Sequence, residues 1–117
     1  MNADNQQERL CCYISGYVDG EGSFHVAIQK VAHVKFGYQI LPEFHVSQSK
    51  DRPVVLELIK KLWQCGYIKE NFRGKDNNLV FVVRNRKDLL SKVIPFFRNF
   101  PMLSTKQEDF KKICFNC

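Results

Sequence analysis

The strongest constraint on the fold is a pattern that occurs twice: a stretch with apolar residues at helical spacing, then two stretches of alternating character joined by a turn. From about Gln6 to Asp19, the residues Leu10, Tyr13, Ile14, Tyr17 and Val18 recur at intervals of three and four, and Gly20 and Gly22 stop the helix. Phe24, Val26 and Ile28 then alternate with His25, Ala27 and Gln29. After a turn near 35–37, Tyr38, Ile40, Pro42, Phe44 and Val46 alternate with Gln39, Leu41, Glu43, His45 and Ser47, completing a hairpin. Pro42 places its strand at an edge or a bulge, because proline cannot donate to a ladder.

The second unit opens at Asp51, an N-cap candidate, with Pro53 in the first turn. Val54, Val55, Leu58, Ile59 and Leu62 form an apolar stripe that ends before Gly66. Ile68 and Phe72 alternate with Tyr67, Lys69, Asn71 and Arg73; a turn over 74–78 leads to a β-branched and aromatic strand from Leu79 to Arg84. Asn85 with Asp88 opens a helix to about Phe97, kinked or broken near Pro95, and Ser104 with Gln107 has capping-box spacing for a last short helix.

The order αββαββα predicts an α+β fold with a four-stranded antiparallel sheet and helices on one face. At 117 residues and 44% hydrophobic side chains, the chain supports one core, a single domain over 1–117 with 1–5 as a loose tail. The other sheet face is open, with His25, Gln29 and His33 on the first strand, Gln39, Glu43, His45 and Ser47 on the second, and Tyr67, Lys69, Asn71 and Arg73 on the third. Such a face either binds something or is merely washed by solvent. Val31 and Leu41 share its parity; they contact thymine methyls in a DNA-bound state, or the register slips by one at a bulge.

Eighteen Lys and Arg against twelve Asp and Glu give a net charge of +6, which favours polyanionic partners. No apolar run approaches the roughly 20 residues that span a bilayer, and Asp4 and Glu8 stand where a signal peptide would be basic and apolar. An intracellular, unexported protein with no membrane partner is expected. Its five cysteines, an odd number, are then free thiols. Cys114 and Cys117 have the spacing of half a zinc site, with no second pair to complete it. The three histidines are not spaced as a metal site and read as groove contacts or surface residues.

The segment Ile14-Ser15-Gly16-Tyr17-Val18-Asp19-Gly20-Glu21-Gly22, followed by Ser23-Phe24, joins a helix bearing small residues to a Gly-Glu-Gly turn and a strand. Ser15, Gly16, Asp19 and Gly20 share a helical face, and Cys12 continues the row, so another backbone can approach closely. A twofold axis along that row would set two Glu21 carboxylates side by side, a repulsion that divalent cations relieve. Alternatively, the glycines serve packing within one subunit and Glu21 is a solvated turn residue. This segment resembles the signature of LAGLIDADG homing endonucleases and the related intron maturases, and the element order extends the resemblance over nearly the whole chain.

That resemblance implies a saddle-shaped sheet and, from a single signature copy, a homodimer in which each subunit supplies half of the active site. It implies Mg²⁺ held by Glu21 with the Gly20 carbonyl, a structural role for Asp19, and catalytic contributions from Gln48, Arg52 and Lys106. The implied activity is a metal-dependent double-strand DNA endonuclease of the intron- or intein-mobility type, in a bacterial cytoplasm or an organelle. Its target is long and roughly palindromic, because each subunit reads one half-site on double-stranded DNA. Lys69, Arg73, Lys75, Arg84 and Lys30 would meet phosphates, while Gln29, Gln39, Asn71 and His45 would read base edges. The alternative is a non-cleaving binder on the same fold: an intron maturase acting on host-intron RNA, or a DNA-binding regulator.

Overall fold

The structure is a computed structural model that describes residues 3–30, 32, 37–50, 53–71 and 78–116. Helix α1 runs Ala3–Glu21. It starts earlier than its apolar pattern because no proline or glycine interrupts residues 3–15, so three residues of the expected loose tail, Ala3 to Asn5, are helical. Cys11, Ile14, Ser15 and Val18 form its buried side.

Strand β1 (Gly22–Lys30) follows with no intervening loop. Gly22 makes this junction possible: a Cβ there would lie 2.8 Å from the carbonyl oxygen of Val18. β1 pairs antiparallel with β2 (Tyr38–Ser49) in an unbroken register from Gly22 opposite Val46 to Lys30 opposite Tyr38, so no one-residue slip occurs along this ladder. The turn expected at 35–37 falls largely outside the described residues.

After α2 (Val54–Trp63), Gln64 adopts a left-handed conformation and its N–H bonds the Lys60 carbonyl at 2.8 Å. Gly66 then takes φ 79°, where a Cβ would strike the Phe81 ring and the Val82 carbonyl. β3 (Tyr67–Asn71) and β4 (Asn78–Val83) complete a four-stranded antiparallel sheet in the order β1-β2-β4-β3. The turn between them lies almost wholly outside the described residues. β2 is therefore an inner strand. Pro42, however, lies beyond Phe44, the last β2 residue paired with β4, and only β1 borders it there. It is locally at an edge.

Asn85 caps the next helix as expected, its Oδ1 accepting the Asp88 N–H at 3.1 Å. The helix is built in three parts: α3 (Arg86–Asp88), a π turn (Leu89–Val93) and α4 (Ile94–Asn99). Pro95 lacks an N–H and its ring crowds the preceding turn, so the wider coil ahead of it accommodates the residue without breaking the rod. The final helix is α5 (Lys106–Asn116).

The helices cover the sheet face that carries Phe24, Phe44, Val46, Phe81 and Val83. Phe44, fully buried, sits at the centre, with ring centroids 5.1 Å from Phe24, 5.5 Å from Trp63 and 6.0 Å from Phe97. The open face departs from a purely polar surface. Val80 and Val82 point to it yet are buried, flanked by Ser47 and Lys69, and by His45 and Tyr67, respectively. The run Leu79 to Val83 does not alternate, so its pattern could not assign them to a face. Among the described residues no helix is long and apolar enough to cross a membrane.

Candidate functional site

The residues of the glycine-rich segment divide into two rows along α1. Cys12, Gly16 and Gly20, each four residues from the next, are exposed, and a Cβ at either glycine would meet nothing within 4 Å. A helix in water gains nothing from two such glycines, each less favourable than alanine by about 1 kcal/mol in a helix interior. Nothing within the described part of the subunit accounts for them, and they leave room for another backbone to approach closely.

The second row faces inward. Ser15 is buried and its Oγ donates to the Phe100 carbonyl at 2.8 Å. Asp19 holds the segment before α5: its carboxylate accepts the Ser104 N–H at 3.2 Å and bonds the Ser104 hydroxyl. Asp19 thus bridges α1 to the segment before α5, and Ser15 is engaged within its own subunit. The capping box at α5 is rearranged accordingly. Ser104 Oγ accepts the Lys106 N–H at 3.2 Å, and Gln107 Oε1 takes the N–H of Met102 in place of that of Ser104, which Asp19 occupies. A groove of about 410 Å³ lies between the two sides, lined by Cys12, Ser15, Gly16 and Asp19 and by Phe100 to Leu103.

Glu21 ends α1 as an exposed residue, and among the described residues no hydrogen bond or ion pair holds its carboxylate. Its charge, after burial, raises the pKa of Tyr17, with a smaller contribution from Tyr13. The Tyr17 hydroxyl donates to the Ser47 carbonyl at 2.8 Å and so ties the helix to the end of β2, beside Gln48. The sequence pattern, which read Tyr17 only as part of the apolar stripe, missed this role. Lys106 reaches across from α5, its ammonium donating to the carbonyl of Gly22, the residue after Glu21. The structure therefore brings Lys106 to the backbone of the residue that follows Glu21, over a separation of 84 positions.

Gln48 has a role that spacing did not reveal. Its Oε1 accepts the N–H groups of Val55 at 3.0 Å and Leu56 at 3.4 Å, capping α2 in the manner expected of Asp51. Asp51 and Arg52 lie outside the described residues. With its oxygen engaged, the amide nitrogen is the donor Gln48 can offer a substrate. A divalent cation fits this end of the molecule: one carboxylate and the Gly20 carbonyl are too few ligands for a protein cage but suit Mg²⁺, which keeps waters and takes phosphate oxygens.

On the open face, His25, Glu43, His45 and Arg84 form one network. His25 Nε2 and His45 Nε2 each lie 3.0 Å from Glu43 Oε2, and Arg84 Nε lies 3.0 Å from Oε1. Burial raises the Glu43 pKa, but hydrogen bonds from His45 and His25 and the Arg84 charge outweigh it, so the carboxyl sits below its ordinary range. Burial lowers the His45 pKa against the opposing pull of Glu43. Lys69 and Lys30 are exposed. Of the remaining expected DNA contacts, the side chains of Gln29, Gln39 and Asn71, and His33, Arg73 and Lys75 entirely, lie outside the described residues. Cys11, Cys12, Cys65 and Cys114 are free thiols, as expected. Cys117, the second member of the half-site pair, lies outside the described residues.

Fold and site together define the αββαββ class in which a helix lined with small residues delivers an acid to the base of an open antiparallel sheet. The chain belongs to the LAGLIDADG endonuclease family, whose sequence profile matches residues 14–117. It is similar to DNA endonuclease I-CeuI of Chlamydomonas moewusii, with 32% identity over 101 residues covering 86% of this chain and 46% of that protein. It is also similar to probable intron-encoded endonuclease 2 of Neurospora crassa, with 32% identity over 106 residues covering 86% and 23% of the two chains. The chain thus spans about half, or less, of the length of these relatives.

Among solved structures, the homing endonuclease I-TnaI superposes with a TM-score of 0.81 at 36% identity over 90% of this chain and 69% of that one. The LAGLIDADG homing endonuclease I-LtrWI, in a crystal structure bound to its target DNA, gives 0.83 at 37% identity over 92% and 36%.

Proposed function

We propose that the protein is a site-specific DNA endonuclease that works as a homodimer, cutting both strands of a long, roughly palindromic duplex with divalent metal at the subunit seam. The observation that carries this reading is the exposed row Cys12, Gly16 and Gly20 leading directly to an exposed Glu21 whose carboxylate is unbonded among the described residues. Two such helices packed through their glycines put two carboxylates close together, and bound cations offset the repulsion.

When bound, Mg²⁺ activates a water and steadies the leaving oxygen of the scissile phosphodiester. This chain's own residues prepare that chemistry. Glu21 and the Gly20 carbonyl would hold the cation, Lys106 carries its positive charge to the Gly22 carbonyl just after the acid, and Tyr17 fixes the strand end that carries Gln48. A two-stranded ribbon such as β1–β2 is narrow enough to enter the major groove, and the net charge of +6 per subunit supplies the non-specific part of DNA affinity. Relatives described as intron-encoded support an intron-mobility role and a bacterial or organellar setting.

Substituting Glu21→Gln tests the reading. Cleavage of target DNA in Mg²⁺ is expected to disappear, while affinity is retained or raised because a negative charge near phosphate is gone. Undiminished cutting by this variant overturns the assignment.

A further inference from the structure

We propose that His25, Glu43 and His45 form a second cation site on the open sheet face, one that takes a borderline transition-metal ion of the Zn²⁺ type and not Mg²⁺. The three donor atoms all lie within 4.8 Å of one another, and both imidazole Nε2 atoms are 3.0 Å from the same carboxylate oxygen. Donors of a tetrahedral zinc ion, each about 2.0–2.1 Å from the metal, stand about 3.3 Å apart, so small ring rotations convert the hydrogen-bonded cluster into a coordinating one. Two imidazoles and one carboxylate are a donor set for zinc, nickel or copper; magnesium prefers oxygens alone.

The backbone organises the set in advance. His25 lies directly opposite Glu43 in the β1–β2 ladder, and His45 follows Glu43 by two residues on the same face, which brings the two rings to 4.4 Å. Arg84 bonds the other carboxylate oxygen at 3.0 Å and fixes its orientation, as outer-shell partners of metal ligands do. The Glu43 side chain is 13% exposed and that of His25 45%, so the carboxylate is sheltered while one side of the cluster opens outward, where a water or an external ligand atom completes four-coordination. The positive charges of Arg84 and Lys69 oppose the ion and make the site weaker than a closed structural zinc centre.

Occupation would change a negative centre into a positive one on the face assigned to DNA. That consequence rests on the endonuclease reading; the ion binding itself does not. The test therefore omits DNA and uses the reduced full chain in excess Mg²⁺, which occupies any oxygen-only site. Co²⁺, as a spectroscopic substitute for Zn²⁺, is expected to give visible bands of a tetrahedral nitrogen and oxygen site, displaced stoichiometrically by Zn²⁺.

The exposed-side variant His25→Ala, which leaves the core untouched, and His45→Asn should each weaken Zn²⁺ binding at least about ten-fold. Circular dichroism confirms that both remain folded. Titrations of wild type and His25→Ala that coincide, or Co²⁺ spectra showing only thiolate charge-transfer bands, overturn the proposal.

Discussion

The substitution Gly16→Leu separates two effects that are usually entangled. Among the described residues of one subunit, nothing lies within 4 Å of a Cβ at this position, and the residue lies inside α1, five residues before its last, Glu21. Leucine is a much better helix former than glycine, so each isolated subunit should gain about 0.7 kcal/mol of stability. Across a glycine-lined seam the same side chain is inserted twice, once per subunit, where two backbones need to touch. Overpacking of that kind costs about 1–3 kcal/mol per insertion, so self-association should weaken by about 2–6 kcal/mol, roughly thirty-fold or more in Kd. Sedimentation over a dilution series measures association, and urea unfolding at concentrations where both proteins are monomeric measures the subunit alone. A variant that self-associates as tightly as wild type refutes the seam. A variant whose monomer is less stable refutes the openness of the helix face.

Gly66→Ala should destabilise the subunit by about 2–4 kcal/mol in urea titrations, because an alanine there would take a left-handed φ of 79° and strike the Val82 carbonyl. Gln48→Ala should cost about 0.5–2 kcal/mol through the lost cap of α2, whereas Gln48→Glu keeps the accepting oxygen and the stability but removes the amide donor and with it cleavage. A Gln48→Glu variant that cuts normally excludes that donor from the chemistry. Glu43 and His45 both bind protons less readily folded than unfolded, so stability should rise with pH. The contribution of His45 is complete above its ordinary value of about 6.5, and that of Glu43 above about 4.3; each is lost as pH falls through the lower folded value. Urea midpoints that stay level or climb on acidification from about pH 8 to pH 4 contradict this sign.

Element order was legible wherever one period dominated. The three-and-four spacing of Leu10 to Val18 and the alternation of Phe24 to Ile28 each identify an element and most of the side it buries, although Tyr13 and Ile28 of those patterns are exposed. Legibility failed where partners are far apart along the chain. Asp19 reaches Ser104, Lys106 reaches Gly22 and Ser15 reaches Phe100 across 84 or 85 positions, and no local pattern encodes such pairs. Gln48 shows the failure at short range. Asp51 has the usual identity and position for a cap, yet the acceptor comes from the strand before it. The histidines are the clearest instance: spaced 20 apart they look unrelated, and only the hairpin register sets both against Glu43.

By itself the sequence determined the repeated αββ plan, much of the apolar face wherever one period dominated, and the acidic end of a glycine-bearing helix, because these depend on backbone period and side-chain size over a few turns. Only the tertiary structure decided that Gly16 and Gly20 look outward while Ser15 looks in, that Val80 and Val82 are buried on the open face, and that Lys106 bonds the Gly22 carbonyl. Those outcomes follow from how sheet register and helix docking bring distant segments together, a property of the assembled chain that no stretch of it carries alone.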